Sequence, residues 1–352
     1  MSRQALKGKV LTVTGPIAAD ALGITLAHEH CLVDNSGVFN EPKSEEGRKL
    51  SREPVSLQNI GYIRYHLLDN RDNLLLLDEE EAITELMRFR EAGGNSVIDA
   101  TNDDIGRDPR ALQRISVATG LNIVMGSGYY VKTGQDLERM NRLSEDDIAA
   151  ELIHDVVHGV ADTGISAGLL GEIGCSWPLE KEEKKVLRAA GIAQRETGVA
   201  LNIHPGRHED APAEIVDILR EVGADIDHTV ISHVDRTVFD RCKLFRLAEA
   251  GCYLEYDLWG IEGYYPETLS ITDIYNDTQR IAVVKDLIGH GYGTRILLSH
   301  DICYKCRYRA YGGHGYVHIL ENVVPAMRRR GVTEAQINTL IIENPKECFA
   351  VR

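Results

Sequence analysis

The sequence lacks the features that mark several large classes of protein. No apolar run reaches the roughly 20 residues that a helix needs to cross a bilayer, so we expect no membrane span. Acidic side chains outnumber basic ones by 54 to 39, which gives a formal net charge of -15. Broad binding to nucleic acid or to anionic membranes needs a basic surface, so neither is an expected partner. A small anionic substrate stays open, because a local pocket can be positive on an acidic protein.

The sequence also lacks a disulfide framework. It has seven cysteines, an odd number with no repeated short spacing, which favours a reduced, cytoplasmic setting. Cys303 and Cys306 have a spacing that redox and zinc-ribbon motifs use, but no second pair matches them, so we assign them neither role. Residues 1–10 contain basic side chains without an apolar stretch, so we expect no signal peptide.

What the sequence has instead is a repeated alternation of short apolar runs and amphipathic stretches. Runs rich in Val, Ile and Leu are typical of buried parallel strands. The runs are Gly23–His28, Ser96–Thr101, Asn122–Gly126, Gly168–Ile173, Ala200–His204, Thr229–His233, Cys252–Tyr256 and Arg295–His300. The stretches between them, such as Glu79–Ala92 and Lys181–Glu196, are predicted helices.

This succession of strand–helix units predicts an α/β fold, a closed (β/α)8 TIM barrel in one domain over residues 1–352. An open doubly wound sheet is the alternative. That fold usually has a glycine-rich phosphate turn after its first strand, where this chain has Ala27-His28-Glu29-His30. The segment Val10–Pro16 predicts a short N-terminal β extension or lid, and Asn35–Asn73 a long irregular loop.

Metal-binding side chains recur at the carboxyl ends of the predicted strands. The set is His28, His30, Glu172, His204, His233 and Asp301. Barrel strands converge at that rim, and residues i and i+2 of a strand share a face. Any one of these residues alone could be a packed or hydrogen-bonded side chain, a salt-bridge partner or a helix cap. Agreement among five strand ends indicates a site, because ionisable groups are rarely buried together without partners.

Four imidazoles and two carboxylates suit two divalent cations. Zinc is the expected metal, and manganese, cobalt, iron or nickel could use the same ligands. Such cations lower the pKa of a bound water toward about 7 and polarise a carbonyl group. We expect Glu172 to bridge them, and Asp301 to hold the water, take its proton and return it to the leaving group.

At these residues the chain resembles the phosphotriesterase family of the amidohydrolase superfamily, nearly from end to end. The segments that carry the resemblance are Thr25–His30, Gly171–Leu179, His204–Arg207, Ser232–Thr237, Gly251–Leu258 and Tyr311–Tyr316. The resemblance implies that His28, His30 and Asp301 bind one metal, and that His204 and His233 bind the other. The best-known members bridge their metals with a carbamylated lysine, where this chain has Glu172. That departure argues against efficient phosphotriester hydrolysis.

Within the family the chain looks closest to a phosphotriesterase-related subgroup associated with hydrolysis of N-acetyltaurine to acetate and taurine. This implies cleavage of an amide near a sulfonate, an anion that guanidinium or ammonium groups bind. Arg207, Arg236 and Lys305 are the candidate contacts, with solvated or second-layer charges as the alternative. Tyr130 is similar to the tyrosine that related lactonases place beside the metals, although it could be a packed loop aromatic.

Other functions stay open at this point. The same metal mechanism could serve a carboxylic ester, a lactone or an organophosphate. The barrel could be a non-catalytic ligand-binding protein, as some relatives have been described, or the metals could be structural. A homodimer is expected only by analogy with the family.

Overall fold

The computed structural model describes residues 3–262 and 274–352. The strands in these residues are β1 (Lys9–Thr12), β2 (Gly15–Ala18), β3 (Thr25–Glu29), β4 (Val33–Asp34), β5 (Leu75–Leu76), β6 (Ser96–Asp99), β7 (Asn122–Ser127), β8 (Leu169–Gly174), β9 (Ala200–His204), β10 (Thr229–Ile231), β11 (Tyr253–Tyr256) and β12 (Ile296–Leu298). The helices are α1 (Arg3–Leu6), α2 (Glu45–Leu50), α3 (Ile60–Ile63), α4 (Glu79–Glu91), α5 (Pro109–Thr119), α6 (Leu137–Arg142), α7 (Glu145–Val157), α8 (Lys181–Thr197), α9 (Ala211–Glu221), α10 (Val234–Thr237), α11 (Arg241–Glu249), α12 (Asp277–Gly289), α13 (Val324–Arg329), α14 (Glu334–Asn338) and α15 (Asn344–Phe349). None of these helices combines the length and the apolar composition that a membrane crossing requires.

Eight parallel strands form the barrel. Their order in the sheet is β3-β6-β7-β8-β9-β10-β11-β12, so each strand pairs with the next one along the chain. The two ends of the sheet meet where the Asp301 amide, just after β12, donates to the His28 carbonyl of β3 at 3.2 Å. The predicted (β/α)8 TIM barrel is confirmed.

Successive strand residues alternate between two apolar clusters. One cluster takes a single residue from each barrel strand, namely Ala27, Ile98, Val124, Leu169, Ala200, Val230, Tyr253 and Leu297. Eight strands can share one such cluster only inside the ring. Their neighbours, such as Leu26, Val97 and Ile231, belong to the larger cluster that includes the helices. Because side chains alternate along a strand, strands covered on both faces give the continuous apolar runs seen in the sequence.

The predicted N-terminal extension is a hairpin that closes the amino end of the barrel. Strands β1 and β2 pair antiparallel, with Lys9 opposite Ala18. Val10 of β1 and Phe349 of α15 both join the inner cluster. The hairpin backbone comes so close to the start of β8 that a Cβ on Gly168 would lie 2.2 Å from the Leu11 carbonyl oxygen, which requires glycine there.

Three strands end two residues earlier than the sequence predicted, namely β6 at Asp99, β10 at Ile231 and β12 at Leu298. For β10 and β12 the cause lies just beyond the strand, since His233 has a φ of 54° and Asp301 a φ of 51°. Side-chain-bearing residues rarely adopt this left-handed conformation, and those that do cluster at functional sites. The chain therefore turns sharply at two of the predicted metal ligands.

The segment after β3 is more ordered than predicted. It contains the short helices α2 and α3, and β4 pairs antiparallel with β5, with Val33 opposite Leu76. This pairing ties the two ends of the segment together, so the expectation of a wholly irregular loop was wrong.

Candidate metal centre

His28 and Glu172 are brought into the barrel by irregular pairing of their strands. The register of β3 against β6 shifts between Leu26 and Glu29, and that of β8 against β9 shifts between Leu170 and Ile173. Regular alternation would point His28 away from the inside, because Ala27 already faces inward. We attribute the inward direction of both side chains to these shifts, which re-aim side chains as bulges do.

The six predicted ligands lie together at the carboxyl end of the barrel in two adjacent groups. In one, Asp301 Oδ1 is 3.3 Å from His30 Nε2 and 4.0 Å from His28 Nε2. In the other, His204 Nδ1 is 2.9 Å from Glu172 Oε2 and 3.0 Å from His233 Nε2. Ligands about 2 Å from one cation lie at most about 4 Å apart, so both groups have spacings that one ion could share.

Glu172, a member of the second group, also faces the first. Its Oε1 atom is 3.8 Å from His30 Nε2, and its Oε2 atom is 3.5 Å from His233 Nε2. The side chain is buried, so both oxygens are directed at these imidazoles rather than at solvent. This is the position that a bridging carboxylate would take.

In three of the histidines, the ring nitrogen that faces away from the cavity contacts a buried partner. His28 Nδ1 is 3.0 Å from Glu255 Oε2, and His233 Nδ1 is 2.8 Å from Asp257 Oδ1. His30 Nδ1 is 2.9 Å from the hydroxyl of Thr101, which in turn donates to the Leu32 carbonyl. Each partner accepts a hydrogen bond from Nδ1–H, which leaves the Nε2 lone pair directed into the cavity. Metal-binding histidines have this arrangement, with a carboxylate or other acceptor behind the ring.

One histidine nitrogen of this centre is unusual in its hydrogen bonding. Among the described residues, His28 Nε2 is fully buried and has no hydrogen-bond partner. A buried polar atom without a partner is costly, and native proteins rarely contain one without a reason. The donor set and this atom both fit a pair of divalent cations.

The electrostatics keep the two carboxylates ionised. Burial alone would raise the pKa of Glu172, but the neighbouring His204, His233 and His28 lower it well below its ordinary value. Burial likewise opposes ionisation of Asp301, and the hydrogen bond to His30 together with the charges around it lowers its pKa below the usual range. Both side chains therefore present negative oxygens to the cavity at neutral pH.

The cavity above this centre has a basic wall and an apolar wall. Arg207 and Arg236 line it on the segments that follow β9 and β10. Val38, Leu68 and Ile105 line it on the segments that follow β3 and β6. In a ring of eight strands, these two pairs of strands lie on opposite sides.

Tyr130 also lines the cavity, and its ring packs edge-on against His204 at a centroid distance of 5.2 Å. Burial, followed by the negative charge of Glu172, raises the pKa of Tyr130 well above its ordinary value. The hydroxyl therefore keeps its proton and can donate a hydrogen bond in the cavity.

Lys305 lies in a different environment, and its contact with the substrate stays a prediction. It is not among the described residues that line the cavity. Its ammonium group is 2.6 Å from Asp72 Oδ1 and faces the ring of Tyr311. A short salt bridge with the segment after β3 holds it there.

Sequence reasoning missed the residues behind the ligands. Glu255 and Asp257 are acidic residues two apart at the end of an apolar strand, a signal that was available in the sequence. Arg307 gave no such signal, yet its guanidinium donates to the Asp301 carbonyl oxygen and lies 3.9 Å from Asp301 Oδ2.

Comparison with known proteins agrees with this geometry. The model of the phosphotriesterase family matches residues 8–349. An N-acetyltaurine hydrolase of Xenopus tropicalis is 43% identical over 97% of this chain and 98% of its own. A phosphotriesterase-related protein of Nematostella vectensis is 43% identical over 96% and 97%. The crystal structure of a resiniferatoxin-binding protein from Rhodobacter sphaeroides is 36% identical, covers 100% of this chain and 99% of its own, and superposes with a TM-score of 0.94. The chain therefore belongs to the phosphotriesterase family and is a metal-dependent hydrolase.

Proposed function

We propose that this enzyme hydrolyses the amide bond of N-acetyltaurine and similar N-acyl amino-sulfonates. One observation carries the proposal, namely that a single cavity is lined by five of the six candidate metal ligands, with His28 grouped beside His30 and Asp301, and by two guanidinium groups in its wall. The relatives named N-acetyltaurine hydrolase, at 41–43% identity over nearly the whole chain, support the same substrate.

His28, His30 and Asp301 would hold one cation, and His204 and His233 the other, with Glu172 between them. When bound, such a pair supplies a water that is acidic near neutral pH and polarises the substrate carbonyl. Zinc is the proposed metal, with manganese, cobalt, iron or nickel as alternatives that accept the same ligands.

The chain's own groups would manage the proton and the carbonyl oxygen. Asp301 presents an ionised carboxylate in the cavity, where it would accept the proton of the attacking water. Asp301 would then return that proton to the departing nitrogen, so that the products are a carboxylate and a free amino-sulfonate. The protonated hydroxyl of Tyr130 would donate to the carbonyl oxygen.

The two walls of the cavity would determine the orientation of the bound substrate. The sulfonate would lie against Arg207 and Arg236, because guanidinium groups bind oxyanions in a bidentate manner. The acyl group would then lie toward Val38, Leu68 and Ile105, which bury apolar surface. The scissile amide comes between them, above the metal ligands.

The test is a substrate panel on purified enzyme whose bound metal has been counted. N-acetyltaurine should release acetate, and N-ethylacetamide, which has the amide but no sulfonate, should react far more slowly. An enzyme loaded with two metals that hydrolyses esters, lactones or organophosphates but leaves N-acetyltaurine intact would refute this substrate and retain the metal mechanism. An enzyme that binds metal and hydrolyses nothing in the panel would favour a binding or structural role.

We also propose that residues 1–352 act as one domain, since the barrel strands and both termini share the inner cluster. The homodimer expected from the family stays a prediction, which light scattering would test.

A further inference from the structure

The ring of His204 contacts charged groups on both of its nitrogens. Nδ1 faces the metal centre, at 2.9 Å from Glu172 Oε2. Nε2 faces the wall of the cavity, at 3.1 Å from Arg236 Nη2. Both contacts are partly buried, so a mismatched donor or acceptor is costly there.

These partners determine which nitrogen of His204 carries the proton. A guanidinium group has N–H donors and no acceptor, so Nε2 must accept from Arg236 through its lone pair. A neutral imidazole then carries its proton on Nδ1, which donates to the Glu172 carboxylate. Without a cation, the lone pair of His204 is therefore directed at Arg236 and not at the metal centre.

A cation bound by Nδ1 reverses this arrangement. The proton leaves Nδ1, and the neutral ring carries its proton on Nε2 instead, so its charge does not change. Nε2–H and the Arg236 N–H then point at each other, and the contact between them is lost. Since His204 belongs to the Glu172 and His233 group, this reversal follows from metal binding at that group.

We propose that metal binding at His204 ends the hydrogen bond from Arg236 Nη2 to His204 Nε2, so that this N–H turns to the substrate sulfonate and Arg236 binds the anion more tightly in the metal-loaded enzyme. This rests on the proposed function. It gives Arg236 a different role from Arg207, which also lines the cavity but lies on the segment after β9.

The backbone around Arg236 is fixed, so the change is confined to its side chain. The preceding residue, Asp235, is fully buried and accepts from Arg280 Nε at 2.7 Å and from the Leu258 amide at 3.1 Å. The adjacent amide of His233 is held by Asp257 at 2.9 Å. Helix α10 is thus tied to the segments behind it and gives the Arg236 side chain a stationary base.

This arrangement couples two binding events. Binding free energies are reciprocal, so a sulfonate that binds the released Arg236 must also tighten metal binding. A substrate analogue would then bind less tightly to the metal-free enzyme. Metal-free enzyme would therefore not sequester substrate that it cannot hydrolyse.

The first test reads the tautomer of His204 directly. Nitrogen-15 NMR of histidine-labelled protein, with the His204 signals assigned by their loss in His204→Asn, should show Nδ1–H in the metal-free enzyme. Titration with zinc alone should move the proton to Nε2. An Nε2–H tautomer already present without metal would overturn the proposal.

The second test measures zinc affinity with and without ethanesulfonate, which has the anion but no amide. The wild type should bind zinc several-fold more tightly with the sulfonate present, as allosteric couplings typically give. Arg236→Met should lose this coupling and bind zinc about tenfold more tightly alone, because a charge-assisted hydrogen bond no longer opposes the change of tautomer. Arg220→Met, at the exposed pair with Asp217 outside the cavity, is the matched control and should keep the coupling.

The outcomes separate this proposal from the proposed function. Coupling that survives in Arg236→Met would overturn the release of Arg236 while leaving the hydrolase proposal intact. Wild-type protein that binds zinc and shows the tautomer change, but does not hydrolyse N-acetyltaurine, would refute the substrate and keep the metal-linked arginine.

Discussion

His28 Nδ1 lies 3.0 Å from Glu255 Oε2, with both side chains fully buried inside the barrel. The same oxygen accepts from Asn202 Nδ2 at 2.9 Å and from the Ser232 hydroxyl at 2.7 Å. Three donors thus converge on one carboxylate oxygen, which holds the His28 ring with Nε2 toward the metal centre. Partners of this kind behind a metal ligand orient the ring and increase its basicity.

Replacing this carboxylate tests whether the ring orientation supports metal binding. Glu255→Gln keeps the shape but removes the negative charge, so we expect metal affinity to fall about 10- to 100-fold. Competition with a chelator measures that affinity. Glu334→Gln makes the same chemical change at an exposed pair with Arg328 and should leave it unaltered. Equal affinities in the two variants would contradict the role given to Glu255.

Asp301 is the group expected to transfer the proton. Asp301→Asn keeps an oxygen that can ligate a metal, but an amide cannot take a proton from water. We expect kcat to fall about a hundredfold or more, because general acid–base groups contribute rate factors of about that size. Turnover per bound metal is the measurement, since some metal should remain. Asp286→Asn, at the half-exposed pair with Arg241, is the control. A variant with full metal content and normal kcat would remove Asp301 from this role.

Arg207 and Lys305 were both candidates from the sequence, and the structure separates them. Arg207 lines the cavity, whereas Lys305 pairs with Asp72. Arg207→Met should raise KM for N-acetyltaurine about tenfold or more, since it removes a charge-assisted contact, and should change KM for a neutral ester less. Lys305→Met should raise KM for N-acetyltaurine by a smaller factor than Arg207→Met. The reverse order would restore Lys305 as the sulfonate contact.

The fold and the convergence of the candidate ligands could be predicted because both leave strong local signals. Strands buried on both faces give apolar runs in the sequence. Eight such runs with helices between them predict a closed barrel. His28 and Asp301 follow such runs, so their convergence at one rim required no knowledge of their contacts.

The directions of the ligand side chains, the separation of the basic residues and the exact strand ends could not be predicted from the sequence. The register shifts that turn His28 and Glu172 inward have no pattern in sequence, because they are set by pairing with β6 and β9. The separation of Arg207 from Lys305 depends on where Asp72 lies, and that residue comes from a distant segment. The early ends of β10 and β12 follow from left-handed residues that only hydrogen bonds across the barrel can hold.

A buried histidine far from the metal centre should make the fold sensitive to acid. Burial, assisted by the charge of Arg352, lowers the pKa of His228 from 6.5 to about 4. The unfolded chain therefore binds one more proton than the folded chain between these values. The stabilisation is complete above pH 6.5 and is lost as the pH falls toward 4, up to about 3 kcal/mol.

Denaturant unfolding at several pH values, in wild type and His228→Gln, measures this contribution. The free energy of unfolding of the wild type should decline with acid more steeply, by at most about 1.4 kcal/mol per pH unit for one proton. Parallel curves for the two proteins would show that His228 does not carry the effect. Metal-free samples of both proteins should be used, so that loss of metal in acid does not contribute to the difference.

The apolar wall predicts which acyl groups the enzyme accepts. Leu68 and Ile105 lie across the cavity from the arginines, where the acetyl group of the substrate would be packed. Both side chains are buried, so truncating Leu68 to alanine removes methyl groups that a longer acyl chain could replace. Each buried methylene contributes about 0.8 kcal/mol, or roughly a fourfold change in kcat/KM. Leu68→Ala should therefore lower kcat/KM for N-acetyltaurine and raise it for N-butyryltaurine. The kcat/KM for N-butyryltaurine divided by that for N-acetyltaurine should increase more than tenfold.

The control for this prediction is Leu57→Ala, at an exposed leucine of the same long segment, which should leave the ratio unchanged. An unaltered ratio in Leu68→Ala would place the acyl group elsewhere and would reverse the proposed direction of the substrate.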